Sequence, residues 1–145
     1  MSYLIDTNVL LRSAQPSHQM HADAARAVVE LFAQGEILSV IPQNIIEYWA
    51  VATRPVEANG LGMSVDETVA EVSRLKGIFQ VLPDTAEIFS EWEGLVSRHG
   101  VKGKETHDAR IVAAMLAHKV THLLTFNTAD FKRYTEIITV NPQDV

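Results

Sequence analysis

The chain of 145 residues contains no cysteine, so no disulfide braces it, and the composition fits a reducing compartment. It also lacks any apolar run near the roughly 20 residues of a membrane span. No basic flank, apolar segment and small-residue cleavage site precede the first strand-like stretch, so no secretory signal and a cytoplasmic location are expected. Basic residues are in short supply: Lys and Arg number 12 against 18 Asp and Glu, a formal net charge of −6. That balance argues against broad, non-specific adhesion to nucleic acid, which depends on an excess of cationic side chains. It leaves open a nucleic-acid enzyme, because a metal site concentrates carboxylates and a local basic patch still guides a phosphate backbone. Repeats and low-complexity segments are absent as well. What is present is ordinary for a globular protein, 47% hydrophobic and 21% charged residues, and residues 1–145 read as a single domain.

The most apolar stretch opens the chain: Tyr3 to Leu11 reads as a strand buried on both faces, with Asp6, Thr7 and Asn8 in its middle. Pro16 to Gln34 has apolar residues at helical spacing and stops at Gly35. A second strand is expected over Glu36 to Ile41, then a helix capped by Asn44 and running to about Arg54. Ser64-Val65-Asp66-Glu67 has the spacing of a capping box and opens a helix lasting to Gly77. A short strand, Ile78 to Leu82, precedes a helix with Asp84 as N-cap. The glycine-broken basic loop from His99 to Lys104 leads into a helix capped by Thr106, a strand over Val120 to Phe126, a short helix over Thr128 to Tyr134 and a last strand, Ile137 to Val140. Strands alternating with helices imply parallel βαβ units, with helices covering both sheet faces.

Four acids stand out at element ends or within apolar faces. Asp6 follows the first strand, Glu47 lies in the first turn of the helix after the second, Asp108 in the first turn after the basic loop, and Asp130 just past the fourth strand. In a parallel sheet flanked by helices, the C-terminal ends of strands and the N-termini of the following helices share one edge, so the fold can gather all four. Bare carboxylates gathered there raise one another's pKa values, which makes a cation the natural occupant. Oxygen-only ligands select a hard divalent ion, Mg²⁺ or Mn²⁺.

Ile5-Asp6-Thr7-Asn8-Val9-Leu10-Leu11, Ile45-Ile46-Glu47, Thr106-His107-Asp108-Ala109 and Leu124-Thr125-Phe126-Asn127-Thr128-Ala129-Asp130-Phe131 resemble, in order, the successive signatures of PIN-domain nucleases. The likeness is greatest to the small VapC-like ribonuclease toxins and covers nearly the whole chain. It implies a three-layer α/β/α sandwich with a central parallel sheet and a Mg²⁺- or Mn²⁺-dependent endoribonuclease. Frequent homodimers and, in the toxin branch, an antitoxin that blocks the site are implied too. By position Asp6, Glu47 and Asp108 match the family's metal-holding acids, while the last acid matches either Asn127 or Asp130.

In such an enzyme a metal-activated water would attack a phosphodiester in line, Glu47 could ligate the ion or take the water's proton, and the products would carry a 5′ phosphate and a 3′ hydroxyl. Thr7, Asn8 and Thr125, with Asn127, are candidates to orient these groups. Arg12, Lys102, Lys104, Lys132 and Arg133 are candidate contacts to RNA phosphates. Tyr48, Trp49 and Trp92 occupy core-like positions, and His107 and His118 lack partners at metal spacing. Two other classes compete. A Mg²⁺-dependent phosphohydrolase would use Asp6 as nucleophile, but Asn8 stands where its second acid is needed. A non-catalytic module would hold a structural cation with the same acids.

Overall fold

In a computed structural model describing residues 1–145, five strands form one parallel sheet in the order β3-β2-β1-β4-β5. The strands are β1 (Ser2–Ile5), β2 (Ile37–Val40), β3 (Gln80–Val81), β4 (His122–Leu124) and β5 (Ile138–Val140). Six helices connect them: α1 (Thr7–Ser13), α2 (His21–Ala33), α3 (Pro42–Thr53), α4 (Val65–Ile78), α5 (Ala86–His99) and α6 (Glu105–His118). None of the helices is long and apolar enough to cross a membrane.

Side-chain alternation along the strands separates two cores, because successive strand residues face opposite sides of a sheet. Tyr3 and Ile5 pack with Leu38, Val40 and Leu124 against α1 to α4, a layer that includes Val9, Leu10, Leu31, Tyr48 and Leu75. Leu4 and Leu123 face the other way, with Ile88 and Leu95 of α5 and Ile111, Val112 and Met115 of α6. The molecule is therefore the expected three-layer α/β/α sandwich. Strand β1 lies at its centre. From β1 the chain proceeds outward through β2 to β3, then returns to β1's other side for β4 and β5. The crevice beyond the carboxyl ends of β1 and β4 is thus the point where strand order reverses, the usual ligand position in open α/β sheets.

The opening stretch departs from expectation. It is strand only to Ile5, and Thr7 begins α1, with Asp6 as its N-cap in an extended conformation. Continuous apolarity fits both a doubly buried strand and a buried helix, and Val9, Leu10 and Leu11 are buried in the helix instead. Helix α2 starts at His21, leaving Pro16 to Met20 as turns. Helix α3 begins at Pro42, a residue preorganised for the first helical position, so Asn44 is not the N-cap. Its side-chain oxygen instead accepts from the Ile41 backbone N–H at 2.9 Å, and Glu47 falls in the second turn. Thr85, not Asp84, precedes α5, and α6 begins at Glu105, one residue before Thr106. The Ser64–Glu67 capping box forms in both directions, each bond at 3.0 Å. The fourth strand is only His122–Leu124, and the segment after it is a 3₁₀ turn over Thr128–Phe131.

Candidate active site

Asp6 is held where β1 meets β4. Its backbone N–H continues the ladder to the Leu124 carbonyl at 3.0 Å, and the next ladder step joins the Thr125 N–H to the Val140 carbonyl at 3.0 Å. The two side chains consequently lie side by side. One Asp6 oxygen accepts from the Thr7 N–H at 2.8 Å, the ordinary N-cap bond. The other accepts from the Thr125 hydroxyl at 2.8 Å and from the Asn8 amide at 3.3 Å. Asn8 also accepts from the Phe126 N–H at 3.2 Å, which ties α1 to the chain leaving β4. Thr125 is completely buried and Asp6 is 8% exposed.

Glu47 comes in from α3. Its Oε1 accepts from the Thr7 hydroxyl at 2.8 Å, and that hydroxyl in turn accepts from the Asn44 amide at 3.3 Å. Its Oε2 accepts from Gln43 Nε2 at 3.2 Å, one helical turn away. The same Gln43 amide donates to the His107 carbonyl on α6 at 2.9 Å, while its oxygen accepts from Arg110 at 3.2 Å. Arg110 also reaches Asp84 at 3.2 Å. Asp108 and Asp130 share a depression of about 370 Å³ with Lys104 and Glu105.

Electrostatics show the neighbouring acids acting on Asp6 and on Asp108. Burial pushes the Asp6 carboxyl up to about 6, against the Thr125 and Thr7 hydrogen bonds, and the charges of Glu47 and Asp108 add to the rise. Burial likewise raises Asp108, with Asp130, Glu47 and Glu105 repelling its ionised form and His107 opposing them. No three of these carboxyls converge closely enough to clasp one ion entirely by themselves. The donor set nevertheless suits Mg²⁺ or Mn²⁺. It is all oxygen, it is mutually repelling when ionised, and Mg²⁺ commonly keeps several waters while bound by only one or two carboxylates.

The structure sets Asp108 and Asp130 in one depression, with Asp6 and Glu47 near enough to Asp108 to interact electrostatically, and sets Thr7, Asn8 and Thr125 in bonds to Asp6 and Glu47. Asn127 contributes a backbone N–H to the Thr125 hydroxyl at 3.0 Å and does not line the depression that Asp130 shares with Asp108. Among the basic candidates only Lys104 lines that depression. Arg133 is paired with Glu105 at 3.0 Å and Arg12 is bonded to Gln15 at 2.7 Å, while Lys102 and Lys132 are exposed. Gln43 and Arg110 are not singled out by the sequence, and Asn44 only as a helix cap. A helix-face signal did exist for Gln43 and Arg110: Gln43 stands four residues before Glu47, and Arg110 lies in the same helical turn as Asp108.

A parallel five-stranded sheet between two helical layers, with acids near its topological switch, defines an α/β/α sandwich. The model of the PIN domain matches residues 3–137, and the chain belongs to that family. Similar solved structures include VapBC2 from Rickettsia felis bound to a DNA fragment from its promoter, 15% identical, with a TM-score of 0.71 over 97% of this chain and 98% of that one. FitAcB from Neisseria gonorrhoeae is 16% identical, with a TM-score of 0.71 over 99% of both chains. VapC20 from Mycobacterium tuberculosis, a sarcin–ricin loop cleaving toxin, is 19% identical, with a TM-score of 0.62 over 83% of this chain and 86% of that one. No curated protein sequence matches the chain significantly.

Proposed function

We propose that this chain is a divalent-metal-dependent endoribonuclease and the toxin of a toxin–antitoxin pair, with residues 1–145 forming one nuclease domain. The observation that carries the reading is the raised carboxyls of Asp6 and Asp108 at the carboxyl edge of the sheet, with Glu47 repelling both and Asp130 repelling Asp108. Membership of the PIN family supports the chemistry, and the toxin–antitoxin complexes among its structural neighbours support the role. The RNA substrate, a cognate antitoxin and a second copy of the chain are the partners in this reading, and the cytoplasm is where they meet.

Asp6, Glu47 and Asp108, with Asp130 at the rim, would hold Mg²⁺ or Mn²⁺. Bound there, the ion supplies positive charge against the phosphate and lowers the pKa of an attacking water. Glu47 has both oxygens oriented by neighbouring donors and retains lone pairs with which to ligate the ion or to accept that water's proton. The Thr125 hydroxyl, the Asn8 amide and the Thr7 N–H fix the Asp6 carboxylate, so its lone pairs point in set directions. Lys104 lines the Asp108 depression, where it would meet a phosphate of the RNA. Asn8 holds Asp6, Thr125 and Phe126, and its amide is too weak an acid to protonate a leaving group, which counts against the phosphohydrolase alternative.

The test is cleavage of a labelled single-stranded RNA in Mg²⁺ or Mn²⁺. Cutting that EDTA abolishes, and that falls by more than about 100-fold in Asp6→Asn and Asp108→Asn, is the expected result, beyond the 10–100-fold usual for outer-shell partners. Turnover of small phosphate esters by protein that leaves RNA intact would overturn it.

A further inference from the structure

The acids have a support that the proposed chemistry leaves unassigned. Gln43 is 9% exposed, and its amide uses both of its polar atoms to join its own helix to α6. Its two N–H groups go to Glu47 Oε2 on its own helix and to the His107 carbonyl on α6, and its oxygen takes a bond from Arg110. The orientation is fixed by charge. Rotating the amide by half a turn would set its oxygen against a carboxylate and a carbonyl and its N–H groups against a guanidinium, an arrangement with no acceptable bond. Arg110 is itself anchored, by Asp84 at the loop before α5. The result is a relay, Asp84 to Arg110 to Gln43 to Glu47, running along the floor of a depression of about 430 Å³ lined by these four residues with Ile46 and His107.

We propose that Gln43 is the positioning residue of Glu47, and that Arg110 acts on the site through it; the proposal rests on the metal-dependent reading given above. Two consequences follow from the bonds. Glu47 is fixed from both sides, by Thr7 at Oε1 and by Gln43 at Oε2. Through the His107 carbonyl, the same amide also sets the distance between α3 and the start of α6, hence between Glu47 and Asp108. Gln43 touches neither metal nor phosphate in this role. Outer partners of metal-holding groups typically contribute 10- to 100-fold in affinity by orienting their ligands.

The test is Mn²⁺ affinity, measured by titration calorimetry on the full chain for wild type, Gln43→Met, Arg110→Met and the double variant, with melting temperatures taken alongside. Gln43→Met is expected to weaken Mn²⁺ about 10-fold. Arg110→Met should weaken it about threefold, and the double variant no more than Gln43→Met alone, because both substitutions break one relay. Unchanged affinity in folded Gln43→Met, or penalties that simply multiply, would overturn the proposal while leaving the metal site standing. Wild-type protein that binds no Mn²⁺ would overturn both. Should Gln43→Met fail to fold, Arg110→Met, at a half-exposed position, decides between the same two outcomes by its own affinity.

Discussion

The Thr7 hydroxyl donates to Glu47 at 2.8 Å, so the residue that opens α1 also aims an acid on α3. The same hydroxyl oxygen accepts from the amide of Asn44, which is completely buried, so its one proton is directed to Glu47. Thr7→Val keeps the shape and removes both bonds. Cleavage is expected to fall about 10-fold, the lower end of outer-shell effects. Stability should drop by about 1–3 kcal/mol, because the Asn44 amide is left buried without an acceptor. RNA cleavage assays and urea unfolding check the two halves separately. Loss of activity with no loss of stability would contradict the bond from Asn44.

Asp6 makes the metal-free protein sensitive to pH. Its carboxyl is at about 6 in the fold against an ordinary 3.8, so between those values the folded state holds a proton the unfolded chain has released. The sign follows: Asp6's contribution is fully present below its unfolded pKa and is lost as pH rises through about 6. At about 1.36 kcal/mol per pH unit the loss is on the order of 3 kcal/mol. Asp6→Asn should flatten the fall in melting temperature over that window. Mn²⁺ should stabilise wild type more at about pH 7.5 than at about pH 5, since ion and proton compete for one carboxylate. Equal stabilisation at both values would exclude Asp6 as a ligand.

Asp130 and Asn127 predict different outcomes. Asp130 faces Asp108 across one depression and contributes to raising its pKa, whereas Asn127 engages Thr125 through its backbone. Asp130→Asn should cut RNA cleavage by about 10-fold or more, and Asn127→Ala should leave it within about threefold. The reverse order would reassign the fourth acid position to the amide.

Two glycines separate stability from function. A Cβ on Gly60 would overlap the Arg54 carbonyl, a backbone clash that no side-chain rotation relieves. Gly60→Ala is expected to cost about 1–3 kcal/mol. Gly94, inside α5, has open space around its missing Cβ, and Gly94→Ala should stabilise by about 0.5–1 kcal/mol. Thermal melts measure both, and neither change should alter Mn²⁺ affinity.

Much of this molecule was legible in its residues. Alternating strand and helix signals located all five strands, and the acids were visible because Asp6 and Glu47 sit among apolar neighbours. The errors share a cause. Helix and strand are indistinguishable in a run as apolar as Tyr3 to Leu11, and only the tertiary layers decide that β1 stops at Ile5. Caps misled where a polar side chain had another partner. Asn44 was spent on Ile41 and Thr7, and Asp84 on Arg110. Gln43 was hidden because its value lies in a contact with α6, more than 60 residues along the chain, which no local pattern encodes.

The Thr125 hydroxyl and the Asp6 carboxylate that receives it are 119 residues apart in sequence. At about 5–20 residues per second, a ribosome needs roughly 6–24 s to pass from one to the other. Until β4 has emerged and docked beside β1, Asp6 has neither the Leu124 carbonyl for its backbone nor a hydroxyl for its side chain. A growing chain therefore carries its acids unassembled for nearly the whole of its synthesis. For a protein that would cut RNA, the order of the strands delays the danger it poses to the ribosome translating it.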